Sequence, residues 1–518
     1  MRKRGQDAGP LLAIASGLLS GLAFPPFGIA GLALVAPVPL LAGLADPRRT
    51  GLRRAFTLGW IAALLHFLLL LHWILWLPSE EVTIPGLMIP ALLFMASYLA
   101  LFFGAAALGS VWVSRRLRLP LGLVWPVLVT LADILRSSGE LAFPWGSPGY
   151  ALASWTPALQ FTSITGFWGL VLWVQLLAGL AWEALRAAGL LRARAVAGAA
   201  AAVLFLAPWV HGSIVLSQAP RDTIDGPAGI DVAILQPNTS REIKWDPRYR
   251  EIVIDDLLRR TREAGEKRPD LIVWPETAVP MVLLQEPVYL AQVEETVRAI
   301  HTPLLAGTLD YERTPDGYLA HNSAALFGAD GRLVDRYDKQ RLVPFSERMP
   351  FQKQAPWLSS LNFGQSDFSP GSRYVLFPVE RARIGVLICF ESIFPELAQR
   401  FVAHGANLLV NITNDFWFGD TAAPVQHAEM AIFRAVETRT PLLRCANTGI
   451  SMVVDPWGRV SHQTRTFVEA RIDVRVRTVD RPRPPFHVRH GAWLTIALTG
   501  LGGGLLGAAF LARGGSTA

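Results

Sequence analysis

Eight stretches of the 518-residue chain stay apolar over the roughly 20 residues needed to cross about 30 Å of hydrocarbon. They lie near 10–24, 29–45, 55–77, 84–113, 119–135, 157–185, 195–216 and 491–512. An all-α transmembrane bundle of eight helices is therefore expected, seven before residue 220 and one after 490. The first stretch follows Arg2, Lys3 and Arg4, as a signal peptide would, but the apolar pattern resumes directly after Pro25-Pro26, which favours a span. Composition agrees: 51% of residues are hydrophobic and 17% charged, against about 25% charged in soluble domains. An ordinary cytosolic enzyme, a disordered chain, a collagen and a disulfide scaffold are excluded by this apolarity, by 44 aperiodic glycines and by only 2 cysteines.

The connecting segments alternate in charge. Basic residues occur before the first stretch, between the second and third (Arg48, Arg49, Arg53, Arg54), the fourth and fifth (Arg115, Arg116, Arg118) and the sixth and seventh (Arg186, Arg192, Arg194), and after the last (Arg513). The opposite connections hold Pro25-Pro26, Glu80-Glu81 and Ser137 to Trp155, with Arg136 the one basic residue, at a span edge. Cytoplasmic loops carry the Lys and Arg excess, so both termini are expected in the cytoplasm. Residues 220–490 then lie on the far side, in a bacterium the periplasm, hung from the inner membrane. The net charge of +7 reads as topology and attraction to anionic lipid, with no nucleic acid as partner.

Residues 220–485 have a different texture. Ile230–Gln236, Leu271–Trp274, Leu304–Leu309, Ile384–Phe390, Asn407–Thr413 and Pro441–Ala446 read as strands, and Arg248–Ala264, Tyr289–Ile300, Pro395–His404 and Val425–Thr438 as helices. Such alternation predicts an α/β layered domain. The expected organisation is a membrane domain over 1–219, a soluble α/β domain over 220–485 and a final span with a short tail over 486–518. The Arg-Pro-Arg-Pro-Pro run at 481–485 reads as an extended linker back to the membrane.

Three segments of this domain carry reactive side chains. Leu271-Ile-Val-Trp-Pro-Glu276 ends an apolar strand in a carboxylate, where partial desolvation raises its pKa toward that of a general base; a helix-start or loop glutamate is the plainer reading. Asp335 to Phe345 is a charge run containing Lys339, which by itself reads equally as a solvated strand. Arg383-Ile-Gly-Val-Leu-Ile-Cys389 places a thiol at a strand–helix turn, where the helix and nearby cations favour the thiolate, although a lone cysteine in an apolar run is often simply buried.

Trp274-Pro275-Glu276, Tyr337-Asp338-Lys339, Gly385-Val-Leu-Ile-Cys389-Phe390-Glu391 and Asn414-Asp-Phe-Trp-Phe-Gly419 together resemble the nitrilase, or carbon–nitrogen hydrolase, superfamily. With such a domain between seven spans and one, the chain is similar to the apolipoprotein N-acyltransferase family, a likeness extending to Phe143-Pro144-Trp145 and to Gln236 through Trp245. The resemblance implies an αββα sandwich and a Glu276, Lys339, Cys389 triad, with Glu347, Phe390 and Glu391 in support. It implies acyl transfer from a phospholipid, through a Cys389 thioester, to the α-amine of a diacylglyceryl-cysteine apolipoprotein. Phe390 stands where the family usually has tyrosine, so one hydroxyl is lost while the backbone N–H remains. Trp245, Phe416, Trp417 and Phe418 are expected to wall the acyl chains, with core packing or an interfacial belt as alternatives.

Cys445, in an apolar strand, is expected to be a buried free thiol, since a disulfide would consume the nucleophile. No histidine has metal-ligand spacing, and neither metal nor cofactor is implied; His427, in a helix with Arg434 and Glu437, reads as structural. Gly500, Gly502, Gly503, Gly504 and Gly507 read as a close-packing face of the last span. A monomer is expected. Two other classes stay open: a membrane-anchored amidase or nitrilase that finishes with water, and a transporter, for which Asp133, Glu183, His66 and His72 are the few intramembrane polar candidates.

Overall fold

The computed structural model describes residues 7–46, 50–77, 86–187, 190–244, 246–315, 317–360, 366–479 and 484–512. Trp245, Glu80, Glu81, Arg513, the three basic residues at positions 2–4, Arg48, Arg49 and the first three residues of the 481–485 run lie outside them. The chain divides into two compact units: the described parts of Met1–Trp76, Gly86–Ser217 and Ala492–Ala518 form one, and those of Leu77–Pro85 and Gln218–Gly491 the other.

In the first unit every apolar stretch is largely helical. Leu52–Leu70, Met88–Leu117, Phe167–Arg186, Leu191–Gln218 and Trp493–Leu511 are long and apolar enough to cross a membrane. Gly9–Leu22 and Leu121–Arg136 are shorter, and the second stretch breaks into a 3-10 turn, Ala30–Leu34, and a helix, Pro37–Leu44. Pro37 marks the break: it has no N–H to donate back into the 3-10 turn and sits instead at the first position of the new helix. The sixth stretch is helical only from Phe167. Ahead of it, Thr156–Leu159 and Thr162–Thr165 are single turns, and Gly166 at φ +69 redirects the chain.

Small residues set the closest approach. A Cβ on Gly122 would lie 2.3 Å from the Gly179 carbonyl oxygen, so Leu121–Arg136 and Phe167–Arg186 touch backbone to backbone. The glycines of the last helix depart from expectation. Gly502 alone meets a neighbour, Leu131, whereas Cβ positions on Gly500, Gly503, Gly504 and Gly507 face open space, so that stripe is not a packed face within this unit. Asp133 is paired with buried Arg136 at 2.6 Å, and the guanidinium donates to the Phe143 and Trp145 carbonyls and to Ser147 Oγ. The intramembrane charge is thereby spent on clamping the Phe143-Pro144-Trp145 loop, which removes the main candidate for a transport site.

The second unit contains two six-stranded sheets. Its strands are β1 (Ile230–Gln236), β2 (Leu271–Val273), β3 (Leu304–Thr314), β4 (Gly317–Phe327), β5 (Leu333–Asp338), β6 (Leu376–Val379), β7 (Ala382–Ile388), β8 (Leu408–Thr413), β9 (Leu442–Ala446), β10 (Met452–Val454), β11 (Val460–Ser461) and β12 (Ala470–Val476). One sheet runs β12-β1-β2-β3-β4-β5 and the other β11-β10-β9-β8-β7-β6. In each, parallel strands occupy the centre (β1, β2 and β3; β7, β8 and β9) and antiparallel strands the edges. The central strands β2, β8 and β9 are buried on both faces, as covered parallel strands must be; β2 is wholly apolar, whereas β8 and β9 bury Asn411 and Arg444 among apolar neighbours. Helices Arg250–Gly265 and Pro287–Ile300 bury Ile254, Leu257, Val293 and Val297 on the first sheet. Pro395–Ala403 and Ala423–Thr438 pack against the second. Cys445 of β9 points its Sγ at the carbonyls of Leu235 and Val273, 3.3 and 3.5 Å away on the opposing sheet. The layering is the expected αββα sandwich of the nitrilase fold.

β4, β5, β6, β10, β11 and β12 were not anticipated as strands from apolar runs. β12 shows why: its buried Ile472, Val474 and Val476 alternate with exposed Arg471, Asp473 and Arg475, the pattern of an edge strand with one wet face.

Candidate active site

The sandwich brings three strand ends together. Glu276 follows β2 and Pro275, and is buried. Trp274, fully buried, donates its indole N–H to Thr261 Oγ1 at 2.9 Å, which anchors this strand end to helix Arg250–Gly265. The next residue, Thr277, has φ +44, a costly conformation for a β-branched side chain and a sign of a tightly determined turn. Neighbouring β3 carries Gly307, where a Cβ would sit 2.2 Å from the Pro275 oxygen and 2.6 Å from Glu276 Cα. Only glycine admits the carboxylate's backbone at this depth.

Lys339 directly follows β5, and its N–H donates to the Asn322 carbonyl on β4. Strand alternation turns Tyr337 and Lys339 inward and leaves Arg336 and Asp338 half-buried, so the charge run is a solvated strand on one side only. Lys339 Nζ lies 2.8 Å from Glu347 Oε1 and 3.4 Å from Glu276 Oε1. Burial alone would drive this ammonium down, but the charges of Glu347 and then Glu276 outweigh it and hold its pKa above the ordinary lysine range. Glu347 is thus beside Lys339, as the resemblance implied, and its Oε2 accepts from the Val343 N–H at 2.8 Å.

Cys389 is the first residue after β7, half-buried, with φ +50. A left-handed conformation at a non-glycine is strained, and here it is held by neighbours. The Cys389 carbonyl accepts from Ser392 Oγ at 3.0 Å and Asn411 Nδ2 at 3.5 Å. The expectation that a helix start favours the thiolate is overturned. Cys389–Ile393 is one 3-10 turn, and the helix begins only at Pro395. Burial and then the nearby charge of Glu276 push the thiol well above its ordinary range, with Lys339 only partly opposing. The resting sulfur is a thiol, and ionising it requires a base. Phe390 is buried and meets Phe394 edge-on at 5.2 Å.

Glu391 does more than the sequence motif suggested. Its Oε1 accepts from the Gln340 and Arg341 N–H groups at 2.7 and 3.1 Å, and its Oε2 from the Ile388 N–H at 2.8 Å. The Tyr337 hydroxyl donates to the same carboxylate. Phe416, Trp417 and Phe418 form a half-buried turn directly after Asn414.

Several groups at the site were given no role at Glu276 or Cys389 by the sequence. Asn322 Nδ2 donates to Glu276 Oε1 at 2.8 Å and to Glu347 Oε1 at 3.0 Å, spacing the two carboxylates around the lysine. The Asn414 N–H donates to Glu276 Oε2 at 2.8 Å. Lys244 is buried near Glu276, and burial lowers its pKa to about 7 despite that charge. His427, expected to be merely structural, has Nε2 3.1 Å from the Cys389 carbonyl and from Ser392 Oγ, and Nδ1 2.9 Å from Asp415 Oδ1. Burial, then the Arg444 charge, lowers its pKa, so the ring is neutral.

The Cys389 sulfur, an Asp415 oxygen and a His427 nitrogen lie within 4.8 Å of one another, a grouping that could hold a metal. The donors do not fit one, because Asp415 already accepts from Thr413 Oγ1 and Arg444 Nη2, each at 2.7 Å. A guanidinium in the cluster also opposes a second cation. The group is a hydrogen-bonded support under the nucleophile.

A carbon–nitrogen hydrolase family model matches residues 231–483, and a model of the apolipoprotein N-acyltransferase N-terminal domain matches 16–180. Proteins named apolipoprotein N-acyltransferase resemble this chain nearly end to end. That of Geobacter metallireducens is 35% identical, covering 94% of this chain and 93% of its own, and that of Azotobacter vinelandii is 33% identical, covering 98% and 95%. Among solved structures, an amidase from Nesterenkonia sp. AN1 is 20% identical over 52% of this chain and 99% of its own, with a TM-score of 0.38. Identity of this extent to curated relatives, with separate models accounting for the helical and the sandwich halves, means that the chain belongs to the apolipoprotein N-acyltransferase family, an acyltransferase branch of the carbon–nitrogen hydrolases.

Proposed function

We propose that the protein moves an acyl chain from a membrane phospholipid, through a thioester on Cys389, to the α-amino group of an apolipoprotein's N-terminal diacylglyceryl-cysteine. The observation that carries this reading is a half-buried thiol beside buried Glu276 and Lys339 and half-buried Glu347, in a chain with five membrane-length helices among the described residues. Glu276 takes the Cys389 proton as the sulfur attacks the ester carbonyl. Lys339 and the Phe390 N–H hold the oxyanion, each donor worth on the order of 3–4 kcal/mol. The carbon–oxygen bond breaks, protonated Glu276 returns its proton to the lysophospholipid oxygen, and the acyl group stays on sulfur. The acceptor amine then attacks the thioester carbonyl and passes a proton to Glu276. The amide forms, the thiolate leaves, and Glu276 reprotonates it.

Glu347 keeps Lys339 charged and placed, and Glu391 holds the turn that carries Cys389 and Phe390. Phe416, Trp417 and Phe418 line the acyl path. Family and helices make the chain a bacterial membrane protein. Within that frame we assign residues 220–485 to the periplasm, hung as a catalytic domain between seventh and last spans with both termini cytoplasmic, and the protein to the inner membrane as a monomer. Hydrolysis of a small amide is the weaker reading, since it draws only on a distant fold likeness.

Purified protein in detergent, given phospholipid alone, should accumulate an acyl adduct on Cys389 detectable by mass; adding a diacylglyceryl peptide should move that acyl group to its amine. Cys389→Ser and Glu276→Gln should each abolish transfer. Release of free fatty acid without N-acylation, or full activity in either variant, would sink the assignment.

A further inference from the structure

The helical unit holds a second charged feature, at the opposite end of helix Leu121–Arg136 from the Asp133–Arg136 clamp. A cavity of about 360 Å³ opens where the ends of Met88–Leu117 and Phe167–Arg186 meet the start of Leu121–Arg136. Arg115, Arg118 and Arg186 line it together with one acid, Glu183, and its remaining wall is largely apolar, including Leu44 and Val111. Glu183 is already engaged: its Oε1 accepts from the Gly122 N–H at 2.8 Å, and its Oε2 lies 3.5 Å from Arg186 Nη1. Arg115 and Arg118 are exposed, and among the described residues their side chains have neither an ion pair nor a hydrogen bond. Their neighbour Arg116 is used differently, donating to the Ala512 carbonyl at 3.3 Å. The turn that presents Arg118 is rigid, with Arg118 itself at φ 56 and Ser114 Oγ bonded to the Leu119 carbonyl at 2.7 Å.

Topology accounts for arginines in this loop, and the helix dipole accounts for their favourable position at a C-terminus. Neither explains why Arg115 and Arg118, with no acid paired to their side chains, line the same cavity as Arg186 against a largely apolar wall. We propose that this cavity binds the anionic phosphate headgroup of a phospholipid in the leaflet on the arginine-bearing side, at a site separate from the acyl-transfer chemistry. Arg115 and Arg118 take the phosphate oxygens, for which the guanidinium fork is suited. The apolar wall takes the glycerol and first methylenes, which a free phosphate ion does not possess.

The test uses delipidated full-length protein in a nonionic detergent, titrated with phosphatidylglycerol or phosphatidylethanolamine and read by native mass spectrometry. Diether lipids of equal chain length prevent any acyl transfer, so the result is independent of the proposed reaction. The wild type should retain phosphatidylglycerol in preference to phosphatidylethanolamine. The Arg115→Gln/Arg118→Gln double variant should weaken phosphatidylglycerol binding at least about tenfold and phosphatidylethanolamine binding by less, while Arg115→Lys/Arg118→Lys stays within about threefold of wild type. Equal retention of both lipids by the wild type would overturn the proposal, as would unchanged phosphatidylglycerol affinity in the Gln variant. Displacement of the lipid by inorganic phosphate beyond that by chloride at matched ionic strength would assign the cavity to a soluble anion and overturn it too.

Discussion

The Tyr337 hydroxyl donates to the Glu391 carboxylate, 2.9 and 3.1 Å from its two oxygens, and so joins the strand that delivers Lys339 to the turn that delivers Cys389. Both side chains are fully buried, and the same carboxylate gathers three backbone N–H groups from the two segments. Burial raises the pKa of Glu391 while those N–H bonds oppose the rise. Glu391→Gln would put an amide N–H against these donors. Losing a buried, multiply bonded carboxylate costs about 3–5 kcal/mol, so the variant should unfold at markedly lower temperature and form thioester slowly. Tyr337→Phe removes one hydroxyl and should cost only about 1 kcal/mol. Thermal unfolding of both purified variants checks the ranking, and equal losses would refute the role given to the backbone bonds.

Glu276 raises the Cys389 pKa by its charge, and it is also the base proposed to remove the proton. These two effects separate in Glu276→Gln. Removing the negative neighbour lowers the thiol pKa, so iodoacetamide should alkylate Cys389 faster than in wild type at pH 9. Acylation by phospholipid should fall about 10²–10⁴-fold, because the base is gone. In wild type the thiolate is scarce at pH 7 and grows about tenfold per pH unit while pH stays below the raised pKa. Parallel changes in alkylation and acylation would contradict the assignment of the base.

Glu347 contributes the larger of the two charges that keep Lys339 protonated against burial. In Glu347→Gln that contribution disappears, burial gains, and the lysine pKa falls. A cation is required on the acidic side of that pKa, so activity should persist at low pH and be lost on the alkaline side at a lower pH than in wild type. A pH–rate profile from pH 6 to 10 measures the shift, and an unchanged alkaline limb would exclude Lys339 as the charged oxyanion donor.

Gly307→Ala should disable the enzyme without touching any reacting group. The new Cβ meets backbone atoms of Pro275 and Glu276, which cannot rotate away. Overpacking of this kind costs about 1–3 kcal/mol, and a displacement of the base near 1 Å can cost about a hundredfold in rate. The expected outcome is a modest fall in thermal stability with a much larger fall in thioester formation. Wild-type turnover in this variant would show that the strand pair has slack.

The sequence by itself determined what is local. Spans are legible because a run near 20 residues carries its own apolarity, and central strands such as β1 and β8 are legible because burial on both faces makes them mostly apolar. Glu276, Lys339 and Cys389 stood out through motifs that each occupy a few consecutive residues. Tertiary structure alone decided how those residues are used. Asn322 meets Glu276 across 46 residues, Tyr337 meets Glu391 across 54 and Asn414 meets Glu276 across 138, distances over which no periodicity survives. It decided the protonation of the thiol as well, because burial and neighbouring charge, set by the packed sandwich, outweigh the short turn that the chain order places beside the sulfur. Hydrophobic patterning is written along the chain, whereas the field at an atom is a sum over groups that only folding brings near.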